Sequence, residues 1–264
     1  DKEVVGKKIK SVDVETMRAV RRHPNKKHFT SRLEGAKITG LRRRGKWLVL
    51  SLDTDDLLLV HLGMSGQLRR HANKDEVAKH THVVITFTQK GQLRFVDPRT
   101  FGELFVVAAD DLEDEVKELA ELGFDPVDSP MSWRAFGEQL YRREAKLKPL
   151  LMDQRFMAGI GNIYSDEILF HAGLRHDRLS NSLSTQELRR LYRAVVETLH
   201  DAIKYGGSTL ADGGYVDVFG EPGSYQEHHE VYARAGEPCR RCRAPIAKTK
   251  VSKRTHYYCA QCQV

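Results

Sequence analysis

The segment Cys239–Cys262, "CRRCRAPIAKTKVSKRTHYYCAQC", holds all four cysteines of this 264-residue chain. Cys239 and Cys242 form one Cys-x-x-Cys pair, Cys259 and Cys262 a second, and sixteen residues separate them. That spacing is the pattern of a tetrahedral four-thiolate zinc site on two knuckles joined by a β-hairpin. Two disulfides of a secreted protein are the alternative. The redox logic disfavours it: no export signal opens these residues, and the first 238 contain no cysteine. Four thiolates leave no coordination position for water, so the zinc is expected to be structural. It supplies folding energy that so short a tail could not draw from its own core. The same segment carries seven Lys or Arg and no Asp or Glu. The clip is therefore a scaffold, and its working part is the basic hairpin it displays.

Charge elsewhere supports a polyanionic partner. The net charge is +7 with 30% charged residues, and positions 1–50 hold fifteen Lys/Arg against five Asp/Glu. Nucleic acid is the simplest such partner. No apolar run reaches the 18 residues of a membrane span, so no membrane partner is expected. The acidic run Asp110–Glu115 separates the basic regions and reads as a domain linker.

Residues 1–109 read as a two-layer β domain. "KITGLRRRGKWLVLSLDTDDLLLVHLGMSGQL" alternates polar with apolar residues, with turn signals at Gly45 and Asp53–Asp56. "THVVITFTQKGQLRFVDPRTFGELFVV" repeats the pattern around a hairpin at Lys90–Gly91. From about 110 the period becomes 3.6, which predicts helices over residues 110–207. Leu112, Val116, Leu119 and Ala120 share a face, and so do Trp133, Phe136 and Leu140. The clearest helix runs from Ser184 to Tyr205, opened by a Ser184–Glu187 capping box and stopped at Gly206–Gly207. Residues 208–226 form a Gly-rich loop expected to be mobile, and 227–264 the zinc finger. Within "LKPLLMDQRFMAGIGNIYSDEILFHAG" one helix starts near Pro149, breaks at Ala158–Gly161 and gives way to a second, with Asn162 as its N-cap. Exposed amides at such a helix start bind phosphate readily.

"RRRGKW", "HLGMSGQL", "KHTHV", "DPRTFG", "LMDQRFMAGIGNIYSDEILF", "GGST" and the four-cysteine tail occur here in that order. Together they resemble the formamidopyrimidine-DNA glycosylase family, bacterial base-excision enzymes that remove oxidised purines such as 8-oxoguanine. The resemblance spans essentially the whole chain. It implies a multidomain α+β fold: an N-terminal β-sandwich, a helix-two-turn-helix domain and a four-cysteine zinc finger. It also implies a monomer in the bacterial cytoplasm, bound to duplex DNA that contains oxidised purines or abasic sites.

The resemblance assigns roles residue by residue. Met64, Arg99 and Phe101 match the side chains that fill the space left when the damaged nucleotide is extruded, Arg99 facing the orphaned cytosine. His80, Arg143, Lys148, Asn162, Tyr232, Lys248 and Arg254 match DNA-contacting positions, mostly to phosphates. Lys46 matches a lysine that aids base release and acts as proton donor in β-elimination, and Arg254 is a candidate assistant in δ-elimination. Cys239, Cys242, Cys259 and Cys262 are the zinc ligands.

In the family the nucleophile is an N-terminal proline, followed by glutamate. It forms a Schiff base with the sugar before β- and δ-elimination. The present residues begin Asp1-Lys2-Glu3, and the first proline is Pro24. The expectation is that a leader carrying Pro-Glu is missing and that these 264 residues are inactive without it. Three alternatives remain open: a catalytically silent damaged-DNA binder of the same fold, an endonuclease VIII-like glycosylase for oxidised pyrimidines, and a general zinc-ribbon nucleic-acid-binding protein.

Overall fold

β-branched and aromatic residues alternate with polar ones in several stretches of the first hundred positions, and that alternation builds strands. The computed structural model describes residues 1–251 and 254–264. Strands β1 (Ile9–Val14), β6 (Thr81–Phe87), β7 (Gln92–Val96) and β5 (Gln67–His71) form one antiparallel sheet in that order. Strands β2 (Ile38–Arg44), β3 (Trp47–Leu52), β4 (Asp56–His61) and β8 (Glu103–Ala108) form the other. Ile9, Ile38, Leu50, Leu58, Val83 and Phe95 meet between the sheets, each at most 2% exposed. The turn signals fall where the sequence places them. Gly45 (φ 57°) and Lys46 close the β2–β3 hairpin beyond the Arg44–Trp47 pair, and Lys90–Gly91 (φ 69° and 84°) close β6–β7. Positive φ at these tips matches the twist of the flanking strands.

Two compact units divide the chain: residues 1–120 with 208–223, and residues 121–207 with 224–264. The periodic stretch after Asp110 is not one helix. α2 (Leu112–Glu115) ends at Val116, whose backbone leaves the helical region (φ −118°, ψ 67°), and α3 (Lys117–Ala120) follows. Leu112, Val116 and Leu119 are buried as the period requires, but Ala120 is exposed. The Gly-rich segment 208–223 lies along the sandwich: the Arg70 amide donates to Val218 O (2.8 Å), and Gln67 Nε2 to Gly213 O (3.2 Å). β5 is the outer strand of its sheet, so its edge has amides to offer a passing segment.

The second unit is helical. α4 (Trp133–Tyr141), α5 (Leu147–Met152), α6 (Asn162–Ala172) and α7 (Thr185–Lys204) enclose Phe136, Leu140, Leu151, Ile168, Leu191 and Val195. The α7 capping box is formed in full: the Glu187 amide donates to Ser184 Oγ (3.3 Å), and the Ser184 amide to Glu187 Oε2 (2.8 Å). Gly206 and Gly207 (φ 69° and 84°) stop the helix. The tail forms β9 (Ala247–Val251) and β10 (Arg254–Tyr258), antiparallel with Arg254 opposite Val251.

One histidine makes the first unit acid-sensitive. His23 is 6% exposed, and its Nε2 accepts the Val106 amide (3.0 Å), so that nitrogen is unprotonated. Burial, with the neighbouring His28 and Arg32, lowers its pKa from 6.5 to about 4. A base depressed on folding is charged first in the unfolded chain, so stability falls as pH drops from about 6.5 towards 4. His23→Gln should lose that dependence. The unfolding constants of the two proteins should converge by up to about tenfold per pH unit across the window. Parallel curves in urea titrations from pH 7 to pH 4.5 would refute the assignment.

Candidate nucleic-acid interface and metal centre

In the first unit the "HLGMSG" and "DPRTFG" loops pack backbone against backbone, and glycine permits the approach. A Cβ on Gly63 (φ 63°) would lie 2.7 Å from Gly102 N, and one on Gly102 would lie 2.8 Å from His61 O. Asp97, fully buried, ties the loops together. Its carboxylate accepts from Ser65 Oγ (2.5 Å), the Arg99 amide (3.2 Å) and the Gly102 amide (2.7 Å). This brings Met64, Arg99 and Phe101 onto one pair of adjoining loops. Met64 is 67% and Phe101 47% exposed, so neither is a core residue, and the Arg99 guanidinium lies 5.2 Å from the Phe101 ring centre. Large apolar side chains held in water on a rigid loop mark an interaction surface.

Lys46 is exposed on the β2–β3 turn. It borders a cavity of about 550 Å³ lined also by Glu3, His61, Gly63, Tyr215 and Val218. His80, exposed and left-handed (φ 64°), sits just before β6. Its carbonyl accepts the Asp97 amide (3.0 Å), which couples it to the same loop.

In the second unit, Arg143 is exposed just past α4 and Asn162 opens α6. The N-cap is Gly161 (φ −122°, ψ −167°), not Asn162 as the sequence suggests, because the preceding turn places the extended residue one position earlier. Asn162 Oδ1 is buried without a hydrogen-bond partner among the described residues. Lys248 and Arg254 are exposed on the hairpin, and the Tyr232 ring packs against Tyr257 at 5.1 Å between centres.

Lys148 departs from the expected phosphate contact. It is 0% exposed; its ammonium pairs with Asp166 at 2.7 Å and donates to Thr255 O (3.2 Å). A buried, paired ammonium holds the hairpin rather than meeting a backbone phosphate. Asp166 also accepts the Tyr257 amide (3.1 Å), and burial pushes its carboxyl up to about 7 against the pull of Lys148. Next to it, Glu167 accepts the amides of Glu230 (2.8 Å), Val231 (3.1 Å) and Tyr232 (2.8 Å). These two carboxylates and Asp97 are the supporting residues that the sequence reading missed. Two adjacent acids inside the apolar run "YSDEILF" were the available signal.

The four cysteine sulfurs lie within 4.8 Å of one another, with Cys239–Cys262 at 3.9 Å and Cys242–Cys259 at 3.4 Å. Sulfurs at tetrahedral corners about 2.3 Å from a zinc ion stand roughly 3.8 Å apart, so the cluster fits one structural zinc. Cys239, Cys259, Ile246 and Val231 pack around Phe170 of α6 to form a small core beside it.

Known proteins align with this arrangement throughout. Family models match residues 1–104 (formamidopyrimidine-DNA glycosylase N-terminal domain), 122–213 (its H2TH domain) and 236–264 (zinc finger found in FPG and IleRS). The formamidopyrimidine-DNA glycosylase of Pelotomaculum thermopropionicum is 41% identical over 258 residues, covering 98% of this chain and 92% of that protein. The MutM (Fpg) structure from Thermus thermophilus superimposes with a TM-score of 0.88 at 38% identity, over 99% of this chain and 93% of that one. Lactococcus lactis Fpg, solved with DNA containing an abasic site, gives 0.89 at 33% identity, over 99% and 94%. With the two loops, the helical unit and the thiolate cluster all matched, this chain belongs to the formamidopyrimidine-DNA glycosylase family.

Proposed function

We propose that this chain grips duplex DNA and extrudes oxidised purines in base-excision repair, as a DNA glycosylase with an associated strand-cleaving lyase step. The observation that carries the reading is the exposed trio Met64, Arg99 and Phe101 on loops pinned by Asp97. A base whose glycosidic carbon is to be attacked must leave the stack, and the space it vacates must be refilled. Met64 and Phe101 supply apolar wedges, and Arg99 supplies donors for the unpaired base opposite. Asn162 at the start of α6 and Arg254 and Lys248 on the zinc hairpin are the proposed phosphate contacts, joined by His80, Arg143 and Tyr232.

In this reading an N-terminal proline amine attacks C1′, the C1′–N9 bond breaks, and the purine leaves with a proton. Lys46 is proposed to aid that release and to be the proton donor in β-elimination, and Arg254 to assist in δ-elimination. The proline is not among these 264 residues. Borohydride trapping on an 8-oxoguanine duplex therefore uses this chain and the same chain extended by a Pro-Glu leader. The extended protein should give a covalent adduct that Lys46→Ala diminishes. No adduct from the extended protein would leave a silent binder of damaged DNA. Equal affinity for damaged and intact duplex would reject both. Arg254→Ala should weaken binding to every duplex and reduce the salt slope by about one. An unchanged slope would place Arg254 away from the backbone.

A further inference from the structure

Asp97 accounts for only one side of the loop that carries Arg99 and Phe101. The amides of Arg99 and Gly102 turn inward to its carboxylate, whereas the carbonyls of Thr100, Phe101 and Gly102 need donors elsewhere. Two arginines from outside both motifs provide them. Arg18 Nε donates to Thr100 O (3.1 Å), Arg21 Nη1 to Gly102 O (2.8 Å) and Arg21 Nη2 to Phe101 O (3.3 Å). Thr100 sits at φ +55°, a conformation that costs a β-branched residue energy and persists only when its surroundings over-determine it.

The donors are themselves held. Arg18 lies within the single turn Met17–Val20, which Thr16 caps at its start and Arg21 follows as C-cap, and Arg21 Nη1 also donates to Arg18 O (3.0 Å). Glu103, nearly buried, pairs with Arg21 (3.1 Å) and with Arg22 (2.8 Å), whose guanidinium lies 4.1 Å from the Phe105 ring centre. Two bonds from one planar fork to consecutive carbonyls set the orientation of that peptide as well as its position.

We infer that Arg21, assisted by Arg18, is a positioning residue for opposite-base recognition. It locks the backbone of residues 100–102 so that Arg99 and Phe101 are presented to DNA in one arrangement. The Arg21 fork is engaged by the Phe101 and Gly102 carbonyls and by Glu103, so Arg21 acts through the loop and not on phosphate. This inference rests on the void-filling reading of Met64, Arg99 and Phe101.

The test measures binding of the full chain to duplexes holding a tetrahydrofuran abasic analogue opposite cytosine or adenine, at several salt concentrations. Arg99→Ala, Arg21→Ala and the Arg18→Ala/Arg21→Ala pair are compared with the unaltered protein. Arg21→Ala should reduce the cytosine-over-adenine affinity ratio by roughly tenfold, the scale of losing hydrogen bonds to a charged donor, and leave the salt slope unchanged. Arg99→Ala should reduce the same ratio. If Arg99→Ala lowers the ratio while Arg21→Ala and the double variant do not, the positioning role is wrong and the void-filling reading stands. If Arg99→Ala leaves the ratio intact, the void-filling reading fails first. A shallower slope with an unchanged ratio would make Arg21 a phosphate contact and overturn the inference. Should Arg21→Ala melt too low to assay, Arg18→Ala, which removes the Thr100 contact at an exposed site, must show a smaller fall in the ratio. No fall overturns the proposal.

Discussion

Cys242→Ser unfolds the C-terminal hairpin and lowers affinity for lesion-containing duplex by at least about a hundredfold. The reason is energetic. A structural zinc of this type contributes on the order of 10 kcal/mol of folding free energy. The apolar core beside it amounts to Ile246, Val231 and two of the cysteines themselves, packed on Phe170. Serine cannot replace a thiolate ligand. Without the ion, nothing holds the three remaining sulfurs, which otherwise crowd within 4.8 Å of one another, in place. Arg254 and Lys248 would then sit on a disordered segment with no fixed direction towards DNA. Zinc content by atomic absorption and duplex binding by fluorescence anisotropy check the result together. A variant that retains stoichiometric zinc would refute Cys242 as a ligand. Loss of zinc with unchanged affinity would show that the hairpin has no part in binding.

The second large effect comes from the fully buried Lys148–Asp166 pair. Lys148→Met should cost the second unit about 3–5 kcal/mol, because it leaves a carboxylate without its counter-ion. Lys148→Met/Asp166→Leu should regain most of that loss, since replacing both members of a buried pair with apolar groups is frequently neutral. The single variant also has a pH signature. Asp166 is pushed up to about 7 even with Lys148 present, so below that pH the orphaned acid takes up a proton and the penalty shrinks. Urea unfolding at pH 8 and pH 5.5 should therefore show the larger deficit at pH 8. An equal deficit at both would mean that lost packing, not charge, explains the defect. A double variant no better than the single would say the same.

Local chemistry made much of this molecule legible. The sandwich followed from period-2 alternation with Gly45 and Lys90–Gly91 at the turns, and α7 from its capping box and the Gly206–Gly207 stop. The four-thiolate site followed from spacing alone. What failed was local detail that depends on burial. Lys148 reads as one more cation in a basic protein, since nothing adjacent announces that Asp166, eighteen positions away, will meet it out of water. Asn162 has the composition of an N-cap, but the Gly-Ile-Gly turn ahead of it gives that role to Gly161. The period through Leu112 and Leu119 is real in what it buries, yet the backbone at Val116 breaks the helix that would have produced it. Exposure of Met64 and Phe101 was beyond composition, because both residue types ordinarily lie inside.

α6 sets a gauge that mutation cannot freely alter. Asn162 in its first turn and the Asp166–Glu167 pair in its second are separated by about one helical turn, so all three are phased by the 100° step of the backbone. A single inserted residue between them would swing both acids about a quarter-turn away from Tyr257 and the 230–232 amides, whatever its side chain. Length changes should therefore be lethal to function between positions 162 and 167.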